Sequence, residues 1–170
     1  MTEDRYKSLM ETLSSKGIYI MLINGADMLI TLAVFLVYVI GVIRAFISGA
    51  QYLIPMTVIP SISFVLVSVF RRLYNAKRPY EVYGIPAVLK KDSSGKSFPS
   101  RHIFSVFVIG VTFFPISPAV SIAVLALGII QGTLRVIGGV HFIKDVICGA
   151  LLGIVCGSLA VGIILATLSS

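Results

Sequence analysis

Three short stretches hold most of the side chains in this 170-residue chain that could do chemistry. In "RVIGGVHFIKD", residues 135–145, His141 and Asp145 lie four positions apart. On a helix that spacing puts both on one face, a turn apart. The carboxylate can then hold one imidazole nitrogen and leave the other free as a nucleophile. In Pro99-Ser100-Arg101-His102 the proline suits the first turn of a helix. The unpaired N–H groups of such a turn, with the Ser100 hydroxyl, make an anion site, and His102 can supply a proton. In "RRLYNAKRP", residues 71–79, Arg71 and Arg78 are two helical turns apart. Guanidinium groups fit phosphate oxygens in a bidentate fork, so Arg71, Arg78 and Arg135 could surround one phosphoryl group. One histidine would attack, the other would protonate the leaving oxygen, and the arginines would stabilise the charge on phosphorus-bound oxygens.

Each element has a plainer reading. Single Lys or Arg residues at apolar helix ends are commonly interface anchors, which accounts for Arg72, Lys90, Lys91 and Lys144. It does not account for both histidines of the chain falling among the arginines. Glu81, Asp92 and Asp145 are the carboxylates of this region, too few and too scattered for a two-metal clamp, so no metal and no cofactor is expected.

These groups must be held by membrane helices. The chain is 57% hydrophobic and 12% charged, about half the charge of an ordinary soluble domain. Several apolar runs approach the ~20 residues that cross a bilayer. The expected fold is an all-α polytopic membrane bundle in one unit, 1–170, with about five spans and six as the upper count. The spans are expected at about 28–47, 51–74, 99–114, 118–137 and 141–168. The first 17 residues do not read as a secretory signal, being polar and mixed in charge. Residues 8–23 read as an interfacial amphipathic helix, so that 1–23 lies at the surface. Asn24 to Asp27 read as a break, because Asp27 is costly in lipid. Residues 79–98 form a polar loop over the site, with Lys77 beside it as a substrate contact.

The net charge of +7 does not point to nucleic acid, because the basic residues sit at the ends of apolar runs rather than in an exposed block with stacking aromatics. The partners expected are the bilayer and a phosphate-bearing lipid. Cys148 and Cys156 are ~12 Å apart on a helix, too far for a disulfide, and read as apolar filler. The stripe Gly149, Gly153, Gly157 could pair two copies of the chain. It continues the His141–Asp145 series, however, and so is expected to face the protein's own interior; the oligomeric state is left open.

In this arrangement the chain resembles the type 2 phosphatidic acid phosphatase superfamily of membrane lipid phosphatases. Its three motifs read here as Arg71-x6-Arg78-Pro79, Pro99-Ser100-Arg101-His102 and Leu134-Arg135-x5-His141-x3-Asp145. The resemblance implies His141 as nucleophile through a phosphohistidine, Asp145 as its orienting acid and His102 as general acid. Arg71, Arg78, Ser100, Arg135 and the backbone N–H of Arg101 would hold phosphate. Arg71 stands where the family has Lys, Arg101 where it has Gly, and Leu134 where it has Ser. The substrates implied are undecaprenyl diphosphate, phosphatidylglycerol phosphate or phosphatidic acid. A lipid phosphotransferase and a non-catalytic lipid binder or transporter are the alternatives, with vanadate-dependent haloperoxidase chemistry more remote. Positive-inside counting puts the charged face in the cytoplasm, whereas the resemblance puts it outside. Charges that serve a phosphate site distort the count, so the outward placement is the expectation.

Overall fold

A computed structural model describes residues 2–90 and 94–169; Lys91 and Asp92 of the basic loop lie outside the described residues. The described chain is all-helical. In order come α1 (Glu3–Ser14), α2 (Gly17–Ser48), α3 (Ala50–Tyr74), α4 (Pro79–Tyr83), α5 (Arg101–Thr112), α6 (Pro118–Ile137) and α7 (Ile143–Ser169).

Among the described residues, four stretches are long and apolar enough to cross a membrane: α2, α3 with α4 (Ala50–Tyr83), α6 and α7. The expected crossing at 99–114 is shorter than the others. At 12 residues, α5 is about 18 Å long, well under the ~30 Å of the hydrocarbon core. It begins at Arg101 rather than Pro99, which follows a cis peptide after Phe98. Ser100 is its N-cap residue.

The break expected at residues 24–27 is also absent, and 17–23, expected at the surface, belong to α2. That helix runs unbroken because the Asp27 carboxylate meets Arg135 of α6, with Nη2 to Oδ2 at 2.7 Å. Gln131 Nε2 adds a donor to Asp27 Oδ1 at 3.2 Å. A carboxylate paired inside the bundle does not carry the cost of one facing lipid.

Helix α3 continues without a break through Pro55 and Pro60. Proline at 60 removes the N–H that would bond the Met56 carbonyl. The Tyr38 hydroxyl of α2 donates to that carbonyl instead, at 3.2 Å. The same bond ties α2 to α3.

The glycine stripe on α7 lies against α5. A Cβ at Gly149 would come within 2.6 Å of the Ser100 carbonyl oxygen, and one at Gly153 within 2.7 Å of the Phe104 carbonyl oxygen. At Gly157 it would meet Val111 at 2.6 Å. The two helices thus pack backbone to backbone, as small residues allow. Cys148 and Cys156 on the same helix are free and half-buried.

One end of the bundle gathers the start of α2, the end of α3, the start of α5, the end of α6 and the start of α7. Helix α1 packs here. Tyr6 and Met10 join a buried cluster with Ile23, Val88, Leu89 and Val140. The Tyr6 hydroxyl donates to the Gly139 carbonyl at 3.2 Å, and Gly139 turns the chain at φ +80°. That turn delivers His141. Away from this end, Phe35, Ile40, Leu66, Ile129, Leu151 and Leu159 present apolar side chains outward, as lipid contact requires.

Candidate active site

His141 sits in the turn between α6 and α7, outside both flanking spans, and is 1% exposed. Its backbone N–H donates to the Arg135 carbonyl at 3.3 Å. Nδ1 faces Asp145 Oδ2 at 3.5 Å and Ser97 Oγ at 3.4 Å. Nε2 faces Arg78 Nη1 at 3.5 Å. Burial, with the neighbouring Arg78 and Arg135 charges, outweighs the Asp145 hydrogen bond and lowers the pKa to about 4. The ring is therefore neutral at physiological pH, the form a nitrogen nucleophile needs.

Asp145 is fully buried. Its Oδ2 accepts from Ser97 Oγ at 2.6 Å and from the Phe142 N–H at 3.0 Å. Its backbone carbonyl accepts from the Ser100 N–H at 2.8 Å. That last bond fixes the start of α5 on the start of α7. Spacing alone predicts the pairing of His141 and Asp145. The route differs from the expected helical one, because His141 precedes the helix and Ser97 reaches both groups.

Ser97 was not singled out by its sequence. It lies in an aperiodic polar loop, and only the closing of that loop onto α7 gives it a partner. Two buried arginines close it. Arg78 Nε donates to the Gly95 carbonyl at 2.9 Å, and Nη1 to the Val140 carbonyl at 3.0 Å. Arg71 donates to the carbonyls of Lys96 and Pro99, and to that of Ser97 at 3.4 Å. Glu81 accepts from the Arg78 N–H at 2.8 Å and from the Gly95 N–H at 2.9 Å, a capping arrangement that locks α4 to the same loop. Here the arginines organise backbone that surrounds His141, in addition to bringing positive charge beside it.

The Ser100 side chain is buried and its Oγ has no hydrogen-bond partner among the described residues. Asp145 Oδ1 and Arg135 Nε are likewise buried without a partner.

Among the described residues, no group of three or more His, Cys, Asp or Glu side chains clusters as metal ligands would. The family model of the PAP2 superfamily matches residues 51–167, which spans every residue of this cluster apart from Asp27. The chain belongs to the PAP2 superfamily. It is a membrane lipid phosphatase of that superfamily, with several helices through the bilayer. No match to a curated protein was found. Among solved structures, LpxE of Aquifex aeolicus is 25% identical, with a TM-score of 0.62 over 84% of this chain and 92% of that one. The first transmembrane PAP2 type phosphatidylglycerolphosphate phosphatase from Bacillus subtilis is 20% identical, with a TM-score of 0.43 over 92% of this chain and 90% of that one.

Within this PAP2 fold the structure brings His141, Asp145, Arg71, Arg78 and Ser100 together around the loop 94–100. Arg135 joins them through its backbone, while its guanidinium is held by Asp27. Arg101 is exposed, and its charge acts on the guanidinium groups of Arg71 and Arg78. Its guanidinium lies over the Phe64 ring of α3, 5.2 Å from the centroid, a cation–π contact. Arg101 and half-buried His102 line a mainly apolar cleft of about 500 Å³ between α2, α3 and α5. Val34, Phe35, Pro60 and Val65 form its walls, and Thr31 and Gln131 its polar corner. Lys77 is exposed.

Proposed function

We propose that the protein removes a phosphate from a membrane lipid phosphate or diphosphate through a phosphohistidine on His141. The observation that carries this reading is the two-sided setting of the His141 ring. One nitrogen faces a carboxylate and a serine, and the other faces a guanidinium. Nε2 would attack phosphorus, forming an N–P bond as the P–O bond to the lipid breaks. His102 would give its proton to the leaving oxygen and then take one from the water that hydrolyses the N–P bond. Arg71, Arg78, Arg135, the Ser100 hydroxyl and the Arg101 N–H would hold the phosphoryl oxygens, most strongly as negative charge builds on them. These roles follow the motif positions, and the burial of the three guanidinium groups gives their charges the low-dielectric setting in which they act most strongly.

The cleft supports a lipid substrate. Its walls suit acyl or prenyl chain, and His102 lines it beside Arg101, where a leaving oxygen could meet a proton donor. Undecaprenyl diphosphate, phosphatidylglycerol phosphate and phosphatidic acid all have this amphiphilic form. The active-site face is assigned to the extracytoplasmic side, and labelling of a cysteine placed at exposed Lys77 in intact cells checks it. Turnover of purified protein against a panel of lipid monophosphates and diphosphates tests the function. Release from at least one, lost in His102→Ala and His141→Ala, is expected; release from none, with folded protein, overturns the proposal.

A further inference from the structure

We infer that Asp27 on α2 is a positioning residue for phosphate recognition, acting through Arg135. This rests on the reading of Arg135 as a phosphate ligand. Asp27 lies outside the region matched by the family model, and its carboxylate would be expected to break a membrane helix. Instead it ends in an organised polar network inside the bundle. Oδ2 accepts from Arg135 Nη2 at 2.7 Å. Oδ1 accepts from Gln131 Nε2 at 3.2 Å, and that nitrogen also donates to Thr31 Oγ1 at 2.8 Å.

Three features make this more than a structural pair. First, Asp27 takes one end of the Arg135 guanidinium only. Arg135 Nε is buried and has no partner among the described residues, so donor capacity remains for a ligand. Second, the Arg135 carbonyl accepts the N–H groups of Val140 and His141, at 3.1 and 3.3 Å. The residue that Asp27 grips is thus fixed to the backbone of the turn that carries His141. Third, Thr31 and Gln131 line the apolar cleft. The network therefore runs from the cleft wall to the arginine beside the histidine. A buried guanidinium with its orientation set in advance loses little freedom when it forks onto a phosphate oxygen.

Asp27→Asn keeps the shape and a hydrogen-bonding oxygen but removes the counter-charge. Asp27→Glu keeps the charge and moves the guanidinium by about a methylene. The double variant Asp27→Arg with Arg135→Asp restores an ion pair while exchanging the ends. Each is purified in detergent micelles and its Tm, kcat and KM measured, together with the midpoint of stabilisation by inorganic phosphate. Displacing a binding group can cost roughly tenfold to a hundredfold. Asp27→Asn is expected to raise KM and the phosphate midpoint together by about tenfold or more, with a smaller change in kcat. Asp27→Glu is expected to keep the wild-type Tm with a severalfold rise in both. The exchanged pair is expected to fold without recovering phosphate binding. Should Asp27→Asn fail to fold, Asp27→Glu decides: a wild-type KM and phosphate midpoint there would overturn the inference. Recovery of wild-type values by the exchanged pair would also overturn it, since the pair would then serve stability alone. Phosphate stabilisation needs no turnover, so a wild-type protein that released no phosphate from the lipid panel would refute the proposed reaction while Asp27 was still tested.

Discussion

The Ser97 hydroxyl donates to Asp145 Oδ2 at 2.6 Å and stands 3.4 Å from His141 Nδ1. The carboxylate is thus shared between serine and histidine. Ser97→Ala removes one of the donors that hold Asp145 and leaves a buried oxygen short of a partner, at a cost of about 1–3 kcal/mol. Asp145 then interacts more fully with His141, which raises the histidine pKa. The expected outcome is a lower kcat and an acid limb of the pH–rate profile displaced to higher pH. Ser97→Thr, which keeps the hydroxyl, should return the limb toward wild type. An unchanged profile in Ser97→Ala would show that the serine does not tune the histidine.

His141 itself sets a second pH prediction. Its pKa is lowered from 6.5 to about 4, chiefly by burial. Only the neutral ring can attack, so activity from this group should persist as pH falls below 6.5 and drop through pH 4. The stability sign runs the same way. Between about pH 6.5 and 4 the unfolded chain binds a proton that the folded chain does not, so stability falls as pH is lowered through that window. Measurement of kcat/KM and Tm from pH 7 to 3.5 checks both. An acid limb centred near 6.5 would contradict the buried, neutral histidine.

Gly153 tests the helix contact that supports the site. A methyl there would press on the Phe104 carbonyl at 2.7 Å and the Val108 N–H nitrogen at 2.9 Å. Alanine gains roughly 0.5–1 kcal/mol over glycine inside a helix, whereas overpacking costs about 1–3 kcal/mol. Gly153→Ala should therefore lower Tm, and should lower kcat with it, because α5 and α7 are joined at Ser100 and Asp145. A raised Tm would show that the helices part without cost.

Arg101 bears on substrate choice. Its guanidinium rests on Phe64 at the cleft, with its charge felt at Arg71 and Arg78. Arg101→Gly puts in the residue usual in this motif and removes a cation from the cleft lining. The expected result is a larger rise in KM for a lipid diphosphate than for the matching monophosphate, severalfold in the ratio, the size an exposed charge pair supplies. Equal changes for both would rule out a headgroup role for this side chain.

The meeting of Arg71, Arg78, Ser100, His141 and Asp145 at one end of the bundle was legible because they fall in three short stretches, and the apolar runs between these stretches show which ends must meet. Asp27 was misread because hydropathy charges a carboxylate for lipid exposure, whereas its partner lies 108 positions away. Ser97 was missed because a loop has no period to mark which side chain turns inward. The length of α5 was overestimated because an apolar run does not show where Ser100 caps the helix and the turn after Thr112 ends it.

The phosphohistidine is tested most directly by release of inorganic phosphate from a lipid substrate in the presence of EDTA, for wild type and His141→Ala side by side. The wild-type protein should release phosphate undiminished by the chelator, and His141→Ala, folded to the same Tm, should release none above background. Full activity in His141→Ala would contradict the account.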